Sequence, residues 1–484
     1  MRLSDLIAEI QPLATRGDLG VEVADLAYDS RKVGPGTLFF CVPGEKVDGH
    51  EFGPAAAAAG AAGLVVEREL DLDVAQVVVA DARAAMAPLA ARFEGDPTAR
   101  LRVFGVTGTN GKTTTAFLVR ELLEAAGVQT GLLGTVKQVV GGVEEEVVRT
   151  TPEAIDLQAT FRRMLARGDV ACAMEVSSHA LVLRRTDAID FDVVLFTNLT
   201  QDHLDFHATM EEYFAAKRLL FERGGAAVRI VNVDDEYGRR LAGEFECVTF
   251  SADGAAADYS AHGVEFDPTG ASFRARTPHG ELALRTGLPG GFNVANALGA
   301  LAAAVALGVD PQAAGAGLER AARVPGRFEP IDEGQEFAVL VDYAHTPDSI
   351  ENVLRAARRL TAGRVISVFG AGGDRDRDKR PKMGRAGGEL SDLAVLTSDN
   401  PRSEDPAAIV AEVAAGAEGR AAEVAVEVDR RAAIALALGR AEAGDMVVIA
   451  GKGHEQGQEF ENGRKVPFDD RDVAREELRR LGSA

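Results

Sequence analysis

The residues best suited to chemistry stand in one glycine-rich stretch, 107–114, which reads Thr-Gly-Thr-Asn-Gly-Lys-Thr-Thr. An apolar stretch precedes it and a helical pattern follows it. We therefore predict a strand, a tight turn and a helix with Lys112 at its mouth. Glycines let backbone N–H groups converge on an anion, and the positive end of a helix favours phosphate. The stretch indicates a phosphate-binding loop in which Lys112 reaches terminal phosphates and Thr113 or Thr114 offers a hydroxyl to Mg²⁺.

The spacing of this loop departs from the strict eight-residue phosphate-loop pattern. That pattern has a glycine five positions before Gly111, where this sequence has Val106. An ordinary glycine-rich turn between a strand and a helix is the alternative interpretation. The combination of strand, turn and helix favours phosphate binding over that alternative.

Two further polar residues stand where predicted strands end. Glu175 closes the apolar stretch 170–174, and His203 follows a strand that we expect to end near Asn198. The carboxyl ends of parallel strands line one crevice, so we expect both residues beside the phosphate loop. A carboxylate and an imidazole there could hold Mg²⁺, which prefers oxygen ligands. For His203 taken alone, a capping or ordinary loop histidine is the alternative.

Lys217 stands at an unusual position in a predicted helix that begins at Met210. It shares one helical face with Tyr213, Leu220 and Phe221, and that face is otherwise apolar. We therefore expect Lys217 to point toward the interior or the site rather than toward solvent. A lysine that extends its ammonium to the rim of the face is the alternative.

Three polar loops follow predicted strands near the end of the chain. They are residues 372–381, residues 399–402 (Asp-Asn-Pro-Arg) and residues 451–455 (Gly-Lys-Gly-His-Glu). A charge run alone is usually a solvated loop. Arginines that bind carboxylates and Glu455 for an amine, all on one sheet edge, indicate an amino-acid site.

Length and composition limit the classes of protein that this chain could be. The 484 residues favour about three domains. With 75 acidic and 53 basic residues, the charge of −22 argues against nucleic acid or an anionic membrane as a general partner. Cys41, Cys172 and Cys247 are too far apart for a metal site and indicate a reducing compartment. We expect a cytoplasmic chain without a signal peptide or membrane insertion.

The alternation of apolar strands and helical patterns predicts an α/β protein with largely parallel sheets. We place domain boundaries at residues 1–99, 100–329 and 330–484. A linker near Thr98 and a hinge at residues 324–329 separate them. The last domain resembles a doubly wound, Rossmann-like sheet with its crevice beyond the carboxyl ends of the strands.

These segments together resemble the Mur ligases, ATP-dependent amide-forming enzymes of peptidoglycan precursor synthesis, over essentially the whole chain. The resemblance implies a small N-terminal α/β domain for the uridine nucleotide, a central phosphate-loop ATPase domain and a C-terminal amino-acid domain. It implies ATP and Mg²⁺, with Lys112, Lys217, Glu175 and His203 as catalytic residues. Lys217 matches the lysine that the family carbamylates to N6-carboxylysine, so that it becomes an oxygen ligand supporting Mg²⁺. The implied metal site is Thr114, Glu175, His203 and carbamylated Lys217. The implied ATP site is Gly108, Thr109, Asn110, Gly111, Lys112, Thr113, Thr114, Asn293, Asn296, Arg327 and Asp342, with His345 in the segment that follows.

Within the family, the segments are most similar to the ligases that join meso-diaminopimelate to UDP-N-acetylmuramoyl-L-alanyl-D-glutamate. The implied contacts to the UDP substrate are Ser30, Thr150, Thr151, Ser177 and Arg185. The implied contacts to diaminopimelate are Arg375, Asp399, Asn400, Pro401, Arg402, Gly451 and Glu455. Arg402 suits the free carboxylate at the far end of diaminopimelate, because a guanidinium binds a carboxylate bidentately.

Some positions depart from the family pattern. Leu183 stands where some relatives have a glutamine, and Arg149 where an asparagine is common. The segment Gly44-Glu45-Lys46-Val47 differs from one subgroup's uridine contacts. These departures affect individual substrate contacts rather than the reaction.

Three alternatives remain open from the sequence. One is a lysine-adding ligase of the same type, and another is a folylpolyglutamate-type ligase with the same central architecture. The third is a nucleotide-switch binding protein, which would need no amino-acid site. We expect a monomer.

Overall fold

A computed structural model describes residues 1–44, 47–147, 149–223, 225, 227–267 and 269–482. Glu45 and Lys46, in the segment that departs from the family pattern, lie outside these residues. The chain divides into two compact units. The first contains Met1–Gly105, Val128–Val194 and Ala216–Ala227, and the second contains Val106–Gly127, Leu195–Ala215 and Val228–Ala484. Among the described residues, no helix has the length and apolar character that a membrane crossing requires.

The N-terminal stretch forms a small α/β layer. Its elements are α1 (Leu3–Leu6), β1 (Ala14–Arg16), β2 (Asp25–Ala27), β3 (Thr37–Phe40), α2 (Gly53–Ala58), β4 (Gly63–Val66), β5 (Ala75–Val78) and α3 (Ala82–Glu94). The sheet order is β1-β5-β4-β3-β2, parallel except for β1. Helix α3 begins where the Asp81 carboxylate accepts the N–H of Ala84 and ends at Gly95, whose φ is 77°.

The middle of the chain contains the phosphate loop and most of the strands. Its elements are β6 (Arg102–Thr107), α4 (Lys112–Ala125), β7 (Thr130–Leu133), β8 (Gln138–Val140), β9 (Val143–Glu145), α5 (Ala154–Ala166), β10 (Ala171–Glu175), α6 (Ser178–Val182), β11 (Val193–Phe196), α7 (Met210–Arg223), β12 (Val228–Asn232), α8 (Glu236–Glu244), β13 (Val248–Ser251), β14 (Tyr259–Asp267), β15 (Gly270–Thr277), β16 (Gly280–Thr286), α9 (Gly291–Ala306) and α10 (Pro311–Arg320). The predicted strand ends at Thr107 and Glu175 are confirmed. Strand β11 ends two residues earlier than the predicted Asn198.

The sheets of this stretch contain antiparallel pairs that the sequence prediction omitted. In the first unit, β10 pairs with β7 in parallel, but β7, β8 and β9 pair antiparallel. In the second unit, β12, β13 and β14 are parallel, and β14, β15 and β16 are antiparallel. In β15, buried Phe273 and Ala275 alternate with exposed Arg274 and Arg276, the period-two pattern of a half-exposed antiparallel strand.

The C-terminal stretch is the doubly wound sheet that the sequence predicts. Its elements are β17 (Glu329–Ile331), β18 (Ala338–Asp342), α11 (Pro347–Leu360), β19 (Val365–Phe369), α12 (Lys379–Leu390), β20 (Leu393–Leu396), α13 (Pro406–Ala417), β21 (Glu423–Val426), α14 (Arg430–Arg440), β22 (Met446–Ala450), β23 (Gly457–Glu459), β24 (Lys465–Pro467) and α15 (Asp470–Gly482). The order is β17-β18-β22-β19-β20-β21, parallel except for β17. Apolar clusters pack on both faces of the sheet. The loops after β18, β19, β20 and β22 therefore leave the sheet at one edge.

Candidate active site

The predicted phosphate loop is confirmed as a strand, turn and helix. Strand β6 ends at Thr107 and α4 begins at Lys112. The φ angles of Gly108 and Gly111 are 151° and 87°, which favour glycine at both positions. A Cβ at Gly108 would collide with the hydroxyl of Thr197, and one at Gly111 would collide with the Asn296 amide. The loop therefore runs too close to its neighbours to carry side chains at these points.

The residues after β11 hold the phosphate loop in place. The Thr109 N–H donates to the Asn198 carbonyl at 2.8 Å, and the Asn110 N–H donates to the Asn198 side-chain oxygen at 2.9 Å. The Thr197 hydroxyl donates to the Asn110 carbonyl at 2.6 Å. These bonds fix the conformation of the loop, and its binding of phosphate stays a prediction.

Lys112 is folded back over the same loop. Its Nζ donates to the carbonyls of Gly108 at 2.9 Å and Thr109 at 2.8 Å. This places a positive charge at the mouth of α4, where the helix N-terminus already favours an anion.

Two asparagines of α9 support the loop from behind. Asn293 and Asn296 are buried, and the Asn296 amide donates to the Asn293 side-chain oxygen at 3.2 Å. Thr115 donates to the Asn296 oxygen at 3.4 Å, and Asn293 donates to the Pro289 carbonyl at 2.8 Å. These contacts give both asparagines a structural role, and their contact with ATP stays a prediction.

Arg327 connects the predicted hinge to the phosphate loop. Its Nη2 donates to the hydroxyl of Thr113 at 3.0 Å, and its guanidinium carbon lies 4.4 Å from the centre of the Tyr343 ring. Asp342 holds the adjoining turn by accepting the N–H groups of Phe328 at 2.7 Å and Ala344 at 2.8 Å. Burial raises the pKa of Asp342, although Arg327 and these N–H groups oppose the rise.

Asp202, which the sequence reasoning passed over, is a buried carboxylate among three basic side chains. His203 and His345 reach its Oδ2 at 3.5 and 3.7 Å, and Lys379 reaches its Oδ1 at 3.5 Å. Burial acts to raise the pKa of Asp202, but these neighbours hold it well below its usual value. His203, predicted as a metal ligand, has a φ of 54°, and its ring forms a T-shaped pair with that of Tyr213, with the ring centroids 6.0 Å apart. The only sequence signal for Asp202 was its position before His203.

The first unit brings four of the five predicted UDP-substrate residues together: Thr150, Thr151, Ser177 and Arg185. Thr151 donates to the Glu175 carbonyl at 2.9 Å and accepts the N–H of Ser177 at 3.1 Å. Arg185 donates to the Thr151 carbonyl at 3.1 Å and pairs with Glu153 at 2.8 Å. Burial is the main cause that lowers the pKa of Arg185.

Glu175 is almost fully buried within this cluster. Its Oε1 accepts the N–H of Thr135 at 2.7 Å and its Oε2 accepts the Thr135 hydroxyl at 3.1 Å. The same hydroxyl lies 3.0 Å from that of Thr150. A Cβ at Gly134 would stand 2.6 Å from Glu175 Oε1, so the carboxylate fills the space that this glycine leaves.

Ser30 begins a short 3₁₀ helix whose N-cap is Asp29. Among the described residues, no hydrogen bond joins Ser30 to Thr151, Ser177 or Arg185.

Lys217 is 1% exposed, so the prediction that its helical face points inward is confirmed.

The loops predicted to form an amino-acid site do meet at one sheet edge. Arg402 donates to the Gly373 carbonyl at 2.7 Å and pairs with Glu459 at 3.0 Å. Asn400 donates to Glu455 at 2.9 Å, and Gly451 N–H donates to the Asp342 carbonyl at 3.1 Å.

Two predicted members of this site differ in exposure. Asp399 is buried, and burial acts to raise its pKa while Lys452 and Arg430 lower it below the usual value. Arg375 is exposed and donates to the Asp374 carbonyl at 3.0 Å.

The architecture described above, with a phosphate loop and a doubly wound C-terminal sheet, is that of an ATP-dependent ligase. Three family models match the chain. They are "Mur ligase family, catalytic domain" at residues 22–94, "Mur ligase middle domain" at residues 106–304, and "Mur ligase, glutamate ligase domain" at residues 326–453. The chain belongs to the Mur ligase family.

Two curated relatives and one solved structure illustrate the similarity. The UDP-N-acetylmuramoyl-L-alanyl-D-glutamate--2,6-diaminopimelate ligase of Streptomyces coelicolor is 49% identical, over 97% of this chain and 96% of that protein. The ligase of the same name from Geobacillus kaustophilus is 45% identical over 100% of both chains. A solved structure of a ligase with that name is 32% identical, with a TM-score of 0.71, and covers 100% of this chain and 99% of that one.

Proposed function

We propose that this chain joins meso-2,6-diaminopimelate to the D-glutamate γ-carboxylate of UDP-N-acetylmuramoyl-L-alanyl-D-glutamate, with conversion of ATP to ADP and inorganic phosphate. The observation that carries this proposal is the C-terminal sheet edge. There an arginine suited to a carboxylate, Arg402, and a carboxylate suited to an amine, Glu455, stand on neighbouring loops. Relatives named for this reaction match nearly the whole chain, which supports the same substrate pair here.

The reaction begins with phosphoryl transfer. The γ-carboxylate oxygen attacks the γ-phosphorus of ATP, and the bond from that phosphorus to the β-γ bridging oxygen breaks. ADP departs as the leaving group, and the product is an acyl phosphate. Lys112 and the backbone N–H groups of residues 108–114 stabilise the charge that spreads over the transferred phosphoryl group. The loop's bonds to Thr197 and Asn198 keep these donors in place during the transfer.

The amine of diaminopimelate then attacks the acyl carbon. The new C–N bond replaces the C–O bond to phosphate, the amine loses a proton, and inorganic phosphate leaves. The neutral amine is the nucleophile, while Arg402 and Glu455 hold the charged groups at the far end of the amino acid.

The donor types proposed for Mg²⁺ fit that ion. Thr114 and Glu175 supply oxygen atoms, which Mg²⁺ prefers, and both are buried. Thr114, Glu175, His203 and carbamylated Lys217 would hold the ion, and bound Mg²⁺ would neutralise phosphate charge. An unmodified Lys217 is a cation and cannot be a ligand, so its buried position is one that carbamylation suits.

Each of the three predicted domains would bind a different substrate. Residues 1–99 with Ser30 would receive the uridine nucleotide, residues 100–329 the ATP, and residues 330–484 the amino acid. Thr150, Thr151, Ser177 and Arg185 would contact the muramoyl dipeptide. Closure near Thr98 and Arg327 would bring the substrates together and exclude water.

A lysine-adding ligase is the nearest competing function. Lysine lacks the carboxylate that Arg402 would bind, so a lysine-adding site would leave this guanidinium without its ligand. A folylpolyglutamate-type ligase has no need of Ser30 in a uridine-binding domain.

The fate of the D-glutamate γ-carboxylate oxygen atoms tests the proposed reaction. With ¹⁸O in the D-glutamate γ-carboxylate, the proposed mechanism transfers one ¹⁸O to the released phosphate and yields a UDP-tripeptide whose mass includes diaminopimelate. Unlabelled phosphate would contradict the acyl-phosphate step, and the absence of a tripeptide product would contradict the function.

A further inference from the structure

Lys452 is a fully buried cation at the centre of the amino-acid site. Its side chain is 0% exposed, although lysine is among the residues that are almost never buried unless paired. Its Nζ donates to Asn400 Oδ1 at 2.9 Å and to Glu455 Oε2 at 2.8 Å. It also lies 3.5 Å from Asp399 Oδ1. The mechanism above assigns no role to this lysine.

The first consequence of these bonds concerns Glu455. Its Oε2 accepts from both Lys452 at 2.8 Å and Asn400 at 2.9 Å. Both hydrogen bonds that the described residues make to this carboxylate go to the same oxygen. The carboxylate is therefore held from one side, and Oε1 remains for a cationic group of a ligand.

The second consequence concerns Asn400. Its Oδ1 accepts from Lys452 and from the N–H of Glu459 at 3.0 Å, while its Nδ2 donates to Glu455. An ammonium group can only donate, so Lys452 fixes which end of the amide faces which neighbour. With the amide reversed, Asn400 could not donate to Glu455.

The chain of contacts continues to Arg402. Glu459 binds Arg402 twice, because its carbonyl accepts the Arg402 N–H at 3.0 Å and its carboxylate accepts Arg402 Nε at 3.0 Å. Lys452 is thus connected through Asn400 and Glu459 to the proposed carboxylate-binding residue, and directly to the proposed amine-binding residue.

A second buried cation, Arg430, supports the two loop origins. It forms a buried bidentate pair with Asp470 at 2.8 and 2.7 Å. It also donates to the Ala450 carbonyl at 2.9 Å and to the Ser398 carbonyl at 3.3 Å, at the points where the two loops leave β22 and β20. Arg430 fixes the backbone where the two loops begin. Lys452, in contrast, contacts the side chains of Asn400 and Glu455 farther along these loops.

We propose that Lys452 is a positioning residue for amino-acid recognition: it orients Glu455 directly, and Arg402 through Asn400 and Glu459, without touching ATP. This inference rests on the proposed function, because it assumes that these loops bind the amino-acid substrate. The discrimination between diaminopimelate and lysine then depends on Lys452, which is connected to Arg402 only through Asn400 and Glu459.

The experiment compares Lys452→Met with wild type and with Lys465→Met, an exposed lysine on β24. Removing hydrogen bonds from a charged group should raise the KM for diaminopimelate by about tenfold to a hundredfold in Lys452→Met. The KM values for ATP and the UDP substrate should stay within about twofold of wild type, a smaller change than the loss of one such hydrogen bond would cause. Lys465→Met should behave as wild type.

A double-mutant cycle separates positioning from general damage. If Lys452 acts by holding Glu455, then Lys452→Met should change the KM for diaminopimelate much less in a Glu455→Gln background than in wild type. Additive effects, or an equal rise in the KM for all three substrates, would overturn the proposal. If Lys452→Met does not fold, Lys452→Gln takes its place in the same cycle, with the same criteria. Wild-type enzyme that makes no product with diaminopimelate would instead contradict the proposed function.

Discussion

The Nη2 of Arg327 donates to the hydroxyl of Thr113 at 3.0 Å, and the same guanidinium lies over the ring of Tyr343. Thr113 belongs to the phosphate loop and Tyr343 follows β18 of the C-terminal sheet, while Arg327 belongs to the segment between them. One side chain therefore connects the predicted phosphate loop to the predicted hinge segment.

Arg327→Ala should raise the KM for ATP by about tenfold, because it removes a charged hydrogen bond and a cation–π contact at the phosphate loop. Arg327→Lys should recover little of the affinity for ATP. A planar guanidinium can stack on Tyr343 and donate to Thr113 at the same time, and an ammonium group cannot. Steady-state kinetics at saturating UDP substrate measure this. Arg320→Ala, at an exposed arginine on α10, is the control. An unchanged KM for ATP in Arg327→Ala would remove Arg327 from the nucleotide site.

Lys112→Ala should lower kcat by about a hundredfold or more, the usual cost of removing one donor that stabilises transition-state charge. The loop itself should persist, because Thr197 and Asn198 hold it independently of the lysine. Phosphate release measures the rate, and thermal unfolding checks the fold. Lys465→Ala serves as a charge-matched control. Near-normal kcat in a folded Lys112→Ala enzyme would contradict the role given to this lysine.

Lys217→Ala should lose about a hundredfold or more in phosphate release, because a buried carbamate that supports Mg²⁺ would be absent. Propionate added to the mutant should restore part of the activity by supplying a carboxylate oxygen. Wild-type protein in ¹³C-bicarbonate should show a carbamate resonance that the mutant lacks. Arg218→Ala, at the next residue of α7, should retain activity. Full activity of Lys217→Ala would eliminate the carbamate proposal.

Acid should weaken the network that holds the loop after β19. Glu404 binds buried Arg380 bidentately at 2.7 and 3.0 Å and accepts the Asp374 N–H, which lowers its pKa from 4.5 to about 2. Because the folded-state pKa is depressed, Glu404 stabilises the fold fully above about pH 4.5. It loses that contribution as the pH falls toward about 2.

Glu404→Gln should therefore melt at a lower temperature than wild type at pH 7, and the difference should shrink as the pH falls from about 4.5 toward about 2. Glu418→Gln, at an exposed glutamate, should show no such change. A difference between Glu404→Gln and wild type that is constant over this range would contradict the assignment.

Local sequence features were enough to predict the loop, the C-terminal sheet and the inward face of α7. These features depend on residues that are close together in the chain. The glycines at 108 and 111 mark the tight turn, and the apolar neighbours of Lys217 mark a buried helical face. The antiparallel strands β14–β16 were missed although β15 shows period-two burial, because the βαβ alternation elsewhere dominated the interpretation.

Asp202 and Lys452 could not be singled out in the same way. Asp202 gains its character from His345 and Lys379, more than a hundred residues away in sequence, and Lys452 from Asn400 in a loop after a different strand. Such groupings depend on strand order, and β22 lies between β18 and β19 although it follows both in the chain.

The most direct test of the account is phosphate release from ATP with the UDP-muramoyl dipeptide and one amino acid at a time. Diaminopimelate, lysine and glutamate should be compared with a reaction that has none. Rapid release with diaminopimelate and near-background release in the other three reactions is the predicted result. Release with lysine but not diaminopimelate would contradict the assigned substrate. Equal release without any amino acid would contradict a ligase and favour a nucleotide switch.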